Sequence, residues 1–159
     1  HVLWRYGSGD GHLFYRRLRH HSTQIKPTMN TKGFASSFAD LADVRAFKRA
    51  KAKGMTDQEA FRYGDNGIGC FGGDVTTLKV PFVAVPPDDM VAKWGSVKAA
   101  KHKPVLVTIN GVTHRCIVGD RMPWRKNIRN KAVIDLAPGA QAAFGLKPPF
   151  MVPASWVWL

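Results

Sequence analysis

The sequence predicts a mainly β domain with short helices, and two observations carry this prediction. Residues 104–109 are rich in β-branched and apolar side chains and have the pattern of a half-buried strand, and the pair Asn110-Gly111 leads into its partner stretch at 112–118. An Asn-Gly pair between two alternating stretches is the strongest short-range signal of a β-hairpin. Elsewhere, short apolar runs are separated by Gly, Pro, Asn and Asp, as in chains built of short strands.

Composition and charge narrow the class of protein. The 159-residue chain is 45% hydrophobic and carries a net charge of +13, which fits one basic globular domain. No apolar run approaches the roughly 20 residues that cross a bilayer, so no transmembrane segment is predicted. We expect a monomer. A chain this basic is drawn to polyanions such as nucleic acid, anionic lipid or cell-wall polymers, and charge does not choose among them.

The two cysteines, Cys70 and Cys116, leave two interpretations open. They are two buried thiols, or they form one disulfide in an exported protein. The chain has no CxxC or HExxH spacing. We therefore expect no metal site and no other cofactor.

Residues 1–30 are predicted to be a basic N-terminal arm, followed by the main domain at 31–159. The arm contains Arg16-Arg17-Leu18-Arg19-His20-His21. This run indicates either a solvated extension or a segment that binds the phosphates of a nucleic acid. No nucleic-acid motif accompanies it, which favours the solvated extension.

The main domain begins with a predicted strand at 33–39 and two helices. Asp40 or Asp43 caps the first helix, and Thr56-Asp57-Gln58-Glu59 is a capping box that opens the second. These helices form an insertion at about 41–63. The remaining predicted elements are strands at 80–85, 104–109, 112–118, 132–136 and 150–159, with short helices at 88–94 and 141–144.

Three motifs in the last third of the chain resemble the double-psi β-barrels. They are the hairpin 104–111, the Asp-x-x-Pro of 117–123, and the apolar-Asp-Leu with its alanine-rich helix at 133–145. The group includes expansins, lytic transglycosylases of the rare-lipoprotein-A type and family-45 glycoside hydrolases. Gly33-Phe-Ala-Ser-Ser-Phe38 is more weakly similar to their first strand. The resemblance implies a six-stranded double-psi β-barrel with a two-helix insertion after the first strand.

The resemblance also implies site residues. Asp135 matches the carboxyl of the sugar groove, which is the general acid in the hydrolases, and Asp40 matches their base. Asp120 matches the aspartate of Asp-x-x-Pro, which often holds loop backbone near the groove; we include it as a third catalytic candidate. Each of the three also suits a structural role, because Asp caps helices and forms turns. Apolar neighbours of Asp135 would raise its pKa and nearby cations would lower it.

Four further residues are predicted to bind substrate. An exposed Trp124, flanked by Arg125, would stack on a sugar face or on a base; the alternative is a Trp124 that packs over one end of the barrel. Lys131 and Asp74 complete the set, and Asp74 also suits a turn. The chain departs from the resemblance in two ways. It has only two cysteines, and it lacks the histidine that the transglycosylases carry ahead of the second strand.

Three functions follow as hypotheses. The first is an exported or extracytoplasmic enzyme that cleaves a cell-wall glycan such as peptidoglycan, as a glycoside hydrolase or lytic transglycosylase. The second is a non-catalytic, expansin-like protein that binds carbohydrate. The third is a nucleic-acid-binding or structural module that uses the basic arm.

Overall fold

The structure is a computed structural model that describes residues 30–159. The basic arm therefore lies almost entirely outside the described residues. The strands are β1 (Thr31–Ser37), β2 (Phe82–Val85), β3 (Pro104–Ile109), β4 (Val112–Arg121), β5 (Ala132–Leu136) and β6 (Met151–Trp158). The helices are α1 (Leu41–Ala52), α2 (Asp57–Ala60), α3 (Pro87–Trp94) and α4 (Pro138–Ala143).

The six strands close into a barrel in the order β1-β5-β2-β4-β3-β6. The pairs β1·β5 and β2·β4 are parallel, and the other four pairs are antiparallel. Exchanging β1 with β4, β2 with β5 and β3 with β6 reproduces every pairing. This internal twofold relation between two interlocked halves is the double-psi β-barrel arrangement, so the predicted fold is confirmed.

The barrel interior is filled by side chains that alternate along the strands, as period-2 patterning requires. Trp156 and Trp158 both point inward, with exposed fractions of 1% and 8%. Their rings meet edge to face with centroids 5.2 Å apart. The indole N–H of Trp156 donates to the carbonyl of Val133 at 2.9 Å, so its one polar atom is satisfied inside the core.

The two helices after β1 form a compact hairpin. Asp40 caps α1, and Gly54 follows the helix with a φ of +84°, the left-handed conformation that glycine adopts freely. Thr56 and Glu59 make both hydrogen bonds of the predicted capping box at the start of α2. Local sequence signals thus determine where both helices begin.

Two elements differ from the prediction. β4 continues to Arg121, so Asp120 lies in a strand rather than at the start of a loop. The reason is long-range, because β2 pairs in parallel with this far end of β4. α3 begins at Pro87, one residue before the helix predicted at 88–94, since proline at the first helical position is already set to a helical φ.

The structure also answers the question that the sequence left open about the two cysteines. Cys70 and Cys116 are both free thiols, the first exposed and the second buried, so no disulfide joins them. Among residues 30–159, no helix is both long and apolar enough to cross a membrane.

Candidate functional site

One row of side chains runs across five neighbouring strands on the outer face of the barrel. Ser36 of β1 is paired with Asp135 of β5 on one side and Met151 of β6 on the other. Ala84 of β2 is paired with both Asp135 and Asp120 of β4. Residues directly opposite in a sheet project to the same face, so the row Met151-Ser36-Asp135-Ala84-Asp120 shares one surface. Both predicted carboxyls of the last third lie in it.

Asp135 opens into a cavity of about 370 Å³ on this surface. The cavity has a polar floor and a mixed wall formed by the segment between β4 and β5. The lining residues are Ser36, Met122, Pro123, Asn127, Ile128, Arg129, Asn130 and Asp135. Asp135 does not cap α4, whose cap position is Ala137. The carboxyl therefore faces a concave surface and does not serve as a helix cap.

The surroundings of Asp135 favour its protonated form. Burial raises the pKa of Asp135 to about 6, and the charge of nearby Asp120 pushes it in the same direction. The hydroxyl of Ser36 donates a hydrogen bond to the carboxylate and opposes this rise in pKa. The apolar burial expected from the sequence thus raises the pKa, and the opposing influence is the Ser36 hydroxyl and not the nearby cations that the sequence suggested. A carboxyl with a pKa near 6 can both give and take a proton near neutral pH.

The wall of the cavity is the segment 122–131, and it is tied to α3. The guanidinium of Arg125 contacts both carboxylate oxygens of Asp89, at 2.6 and 2.7 Å. The backbone N–H of Arg125 donates to Asp88 at 2.9 Å. The predicted substrate-binding residue Arg125 is thus engaged in an ion pair, in which one nitrogen, Nη2, contacts both carboxylate oxygens of Asp89, and this pair fixes the wall.

Asp120 holds backbone next to the site. Its carboxylate accepts hydrogen bonds from the N–H groups of Cys70, at 2.8 Å, and Arg121, at 2.7 Å. The Cys70 loop can approach β4 because residue 69 is glycine; a Cβ there would lie 2.1 Å from the carbonyl oxygen of Gly119. Burial raises the pKa of Asp120, while the two N–H groups lower it. This geometry matches the structural role that the resemblance implied.

Asp40 is not brought into the cavity. It is buried at the start of α1 and accepts from the N–H groups of Ala42 and Asp43, at 2.9 and 3.2 Å. Both bonds are those of a helix cap. Its role as the catalytic base stays a prediction, and Asp135 is the one carboxyl that lines the cavity within residues 30–159.

The other predicted substrate-binding residues lie around the site in different settings. Trp124 follows Pro123 of the cavity wall, with 42% of its surface exposed. Lys131 is exposed next to Asn130 and adopts a positive φ of 58°. Asp74 accepts from the N–H and hydroxyl of Thr76 at 2.8 and 2.6 Å in an exposed turn, which lowers its pKa.

Of the eight residues that line the cavity, sequence reasoning predicted Asp135 as a site residue and missed the other seven. Ser36 stood within the weakly similar Gly-Phe-Ala-Ser-Ser-Phe motif, so its position had a signal that was not used. Met122 and Pro123 stood within the Asp-x-x-Pro motif of 117–123. Asn127 and Asn130 lie in a loop without a periodic pattern, and nothing local marks them. Among residues 30–159, no three His, Cys, Asp or Glu side chains come together as metal ligands.

Comparisons with known proteins give only distant likenesses. No protein-family model matches the chain, and no curated protein matches it. A Streptomyces papain inhibitor matches with 22% identity and a TM-score of 0.47, covering 84% of this chain and 97% of the inhibitor. The apo expansin of Clavibacter michiganensis matches with 20% identity and a TM-score of 0.49, covering 82% of this chain and 50% of the expansin.

A point mutant of the same expansin, solved in complex with cellohexaose, matches with 18% identity and a TM-score of 0.47 over the same 82% and 50%. This chain therefore spans about half the length of the expansin. At these identities and TM-scores the comparisons assign no function, which has to be argued from the site itself.

Proposed function

We propose that the cavity around Asp135 binds a polysaccharide and that Asp135 is the acid that cleaves it. The observation that carries the proposal is a carboxyl with a pKa of about 6 that opens into a cavity of about 370 Å³. This is the combination that protonation of a glycosidic oxygen requires near neutral pH. Since structural polysaccharides lie outside the cytoplasm, we also propose that the chain acts there.

The cavity walls suit a sugar chain. Asn127, Asn130 and Arg129 offer hydrogen-bonding groups, and Met122, Pro123 and Ile128 offer apolar surface. Sites for small polar ligands combine these two kinds of surface, with few polar groups that fix orientation. The exposed indole of Trp124 extends the wall as a platform on which a sugar ring can stack.

The chemistry proposed for Asp135 uses a single carboxyl. Protonated Asp135 gives its proton to the glycosidic oxygen as the bond from that oxygen to the anomeric carbon breaks. The resulting carboxylate then accepts the proton of a hydroxyl on the same sugar, whose oxygen bonds to the anomeric carbon. The product is an intramolecular anhydro sugar, and no water is consumed. Inverting hydrolysis needs a second carboxyl in the same groove, and Asp40 caps α1 instead.

Asp135→Asn tests this proposal. Peptidoglycan, chitin and cellulose are incubated separately with the wild-type chain and the variant. The amount of soluble fragments released is quantified, and their masses are determined by mass spectrometry. We expect fragments 18 Da lighter than hydrolysis products, the mass of one water, and at least an approximately hundredfold lower rate for the variant. Asp57→Asn, on the surface of the helical hairpin, should retain full activity. Full activity of Asp135→Asn would rule out the proposed role.

A second candidate is binding without cleavage, which is favoured by the single carboxyl that lines the cavity within residues 30–159. It predicts that the chain sediments with an insoluble polysaccharide and releases no fragments. The third hypothesis, nucleic-acid binding through residues 1–30, concerns residues outside the described range and stays a prediction. Removal of the arm should then abolish salt-sensitive binding to DNA or RNA.

A further inference from the structure

A second cavity lies on the helical hairpin and belongs to no part of the barrel groove. Its volume is about 140 Å³. It is formed by one face of α1 together with two residues from the turns that follow α1 and α2. The lining residues are Ala46, Arg49, Ala50, Lys53, Met55 and Tyr63.

The spacing of the α1 residues explains the shape of this cavity. Positions 46, 49, 50 and 53 share one face of a helix, because side chains three and four residues apart are neighbours. The two alanines leave a shallow apolar floor. Arg49 and Lys53 stand one turn apart at its edge, and both are exposed. Tyr63, with 60% of its surface exposed, forms the opposite edge.

The two cations at this opening are not neutralised within residues 30–159. The ion pairs in that range join Lys51 to Asp57 and Arg125 to Asp89. No carboxylate oxygen of the described residues therefore lies within 4.0 Å of Arg49 or Lys53. Both lie at the C-terminal end of α1, where positive charge interacts favourably with the helix dipole, and their charges remain available to an anion from outside the helix.

The hairpin that carries this cavity is held firmly. The rings of Phe47 and Phe61 pack with centroids 4.9 Å apart, between α1 and the end of α2. Lys51 is bonded to Asp57 at 2.6 Å, which links the two helices a second time. Gly64 lies against α1 so closely that a Cβ there would be 2.1 Å from the carbonyl oxygen of Asp43. A rigid frame of this kind keeps binding groups in position.

We propose that this cavity binds an acidic group carried by a polysaccharide, and so holds an anionic polymer at a point separate from the Asp135 groove. Polysaccharide as the polymer rests on the proposed function; the oxyanion chemistry rests on the cavity alone. The fork of Arg49 fits a carboxylate, sulfate or phosphate bidentately, and Lys53 adds a second charge. Tyr63 lies where it can contact the sugar ring that bears the acidic group.

The volume of this cavity fits one acidic group and is too small for a nucleic-acid strand. A cavity of about 140 Å³ is well below the roughly 300–1,000 Å³ of sites that enclose a whole small ligand. Single-stranded nucleic acids bind along extended cationic grooves with successive aromatic side chains for the bases. This cavity offers a single tyrosine and two cations, which match one pendant group.

The test compares two double variants with the same loss of charge on the same helix. Arg49→Ala with Lys53→Ala removes the cations of the cavity, and Arg45→Ala with Lys48→Ala removes two exposed cations outside it. Alanine favours helix, so both variants should fold, which circular dichroism checks. The probes are polygalacturonate, dextran sulfate and teichoic acid, with methyl-esterified polygalacturonate as the neutral control, all at one ionic strength.

We expect the cavity variant, Arg49→Ala with Lys53→Ala, to bind at least one of the acidic polymers about tenfold or more weakly than wild type. The affinity of the matched variant, Arg45→Ala with Lys48→Ala, should fall by less than about threefold. The esterified polymer should show no difference. Equal losses in the two variants would show diffuse attraction to net charge and overturn the proposal. A cavity-dependent affinity for single-stranded DNA, with none for the acidic polysaccharides, would overturn the class of polymer.

Asp135→Asn separates this inference from the proposed function. It should abolish cleavage and leave binding of the acidic polymer unchanged. Cleavage by wild type without any binding to acidic polymers would contradict the hairpin site alone. Normal cleavage by Asp135→Asn, with acidic-polymer binding lost only in the cavity variant, would contradict the groove chemistry alone.

Discussion

At the scale of single residues, Asp135 shows how one row of a barrel sets the acidity of a carboxyl. Ser36 and Ala84 flank it on the neighbouring strands, one with a hydroxyl and the other with a methyl group. The hydroxyl stabilises the carboxylate, while the apolar side and the burial destabilise it. Because burial is the larger influence, the pKa of Asp135 rises to about 6.

This elevated pKa has a consequence for stability. The folded chain binds a proton at Asp135 up to about pH 6, and the unfolded chain only up to its ordinary pKa of 3.8. The contribution of Asp135 to the free energy of unfolding therefore falls as the pH rises from 3.8 to about 6, and it stays lower above pH 6. Asp135→Asn cannot ionise, so it should lack this fall and be more stable than wild type at pH 7.5, by about 2–3 kcal/mol.

Urea unfolding at pH 4 and pH 7.5 measures this difference. The two chains should have similar free energies of unfolding at pH 4 and should separate at pH 7.5. Asp57→Asn serves as the control, since Asp57 is exposed on the helical hairpin. A variant that is less stable than wild type at pH 7.5 would show that burial does not control the acidity of Asp135.

At the scale of elements, the cavity depends on the segment 122–131 staying in place. Its anchor to the rest of the molecule is the pair of contacts that Arg125 makes with Asp88 and Asp89 at the start of α3. Met122 and Ile128 of the same segment pack on the outer side of Ala84, so the segment covers the middle of the row. Wall and floor are thus held by different contacts.

Breaking the anchor should loosen the wall with little effect on the barrel. Asp89→Asn removes one partner of a partly buried ion pair, which should cost about 1 kcal/mol and speed hydrogen exchange at residues 125–130. Asp57→Asn breaks the more exposed pair with Lys51, also 2.6 Å long, and should cost less than about 0.5 kcal/mol. Unchanged exchange in Asp89→Asn would mean that apolar packing alone fixes the wall.

At the scale of the whole molecule, the few acidic residues are not distributed evenly. The charge of Asp120 raises the pKa of both Asp65 and Asp135, and Asp40 and Asp65 raise that of Asp43. Burial is the larger cause for all three carboxyls. Five of the eleven acidic residues are thus linked through effects on one another's pKa, in a chain whose net charge is +13. The remaining surface is correspondingly richer in cations, which suits an anionic polymer.

How much the sequence predicts depends on the range of the interactions. Asn110-Gly111 and the capping box at 56–59 are local signals, and both elements form where they were expected. The pairing of Ser36 with Asp135, 99 residues apart, depends on how β1 and β5 align across the barrel. The Arg125–Asp89 pair likewise spans 36 residues. No local pattern encodes these long-range pairings. The sequence therefore could not predict that Ser36 lies beside Asp135 or that Arg125 anchors the cavity wall to α3.

Amide NMR during titration with soluble oligosaccharides tests the central claim most directly. Cellohexaose, chitohexaose and peptidoglycan fragments are added separately to the isotope-labelled chain at pH 6. The account predicts that one of them shifts the signals of Ser36, Asn127, Asn130 and Asp135. The two neutral oligosaccharides, cellohexaose and chitohexaose, should leave the signals of the hairpin residues 46–53 in place. Shifts confined to other surfaces, or no shift with any of the three at millimolar concentration, would contradict a glycan-binding groove at Asp135.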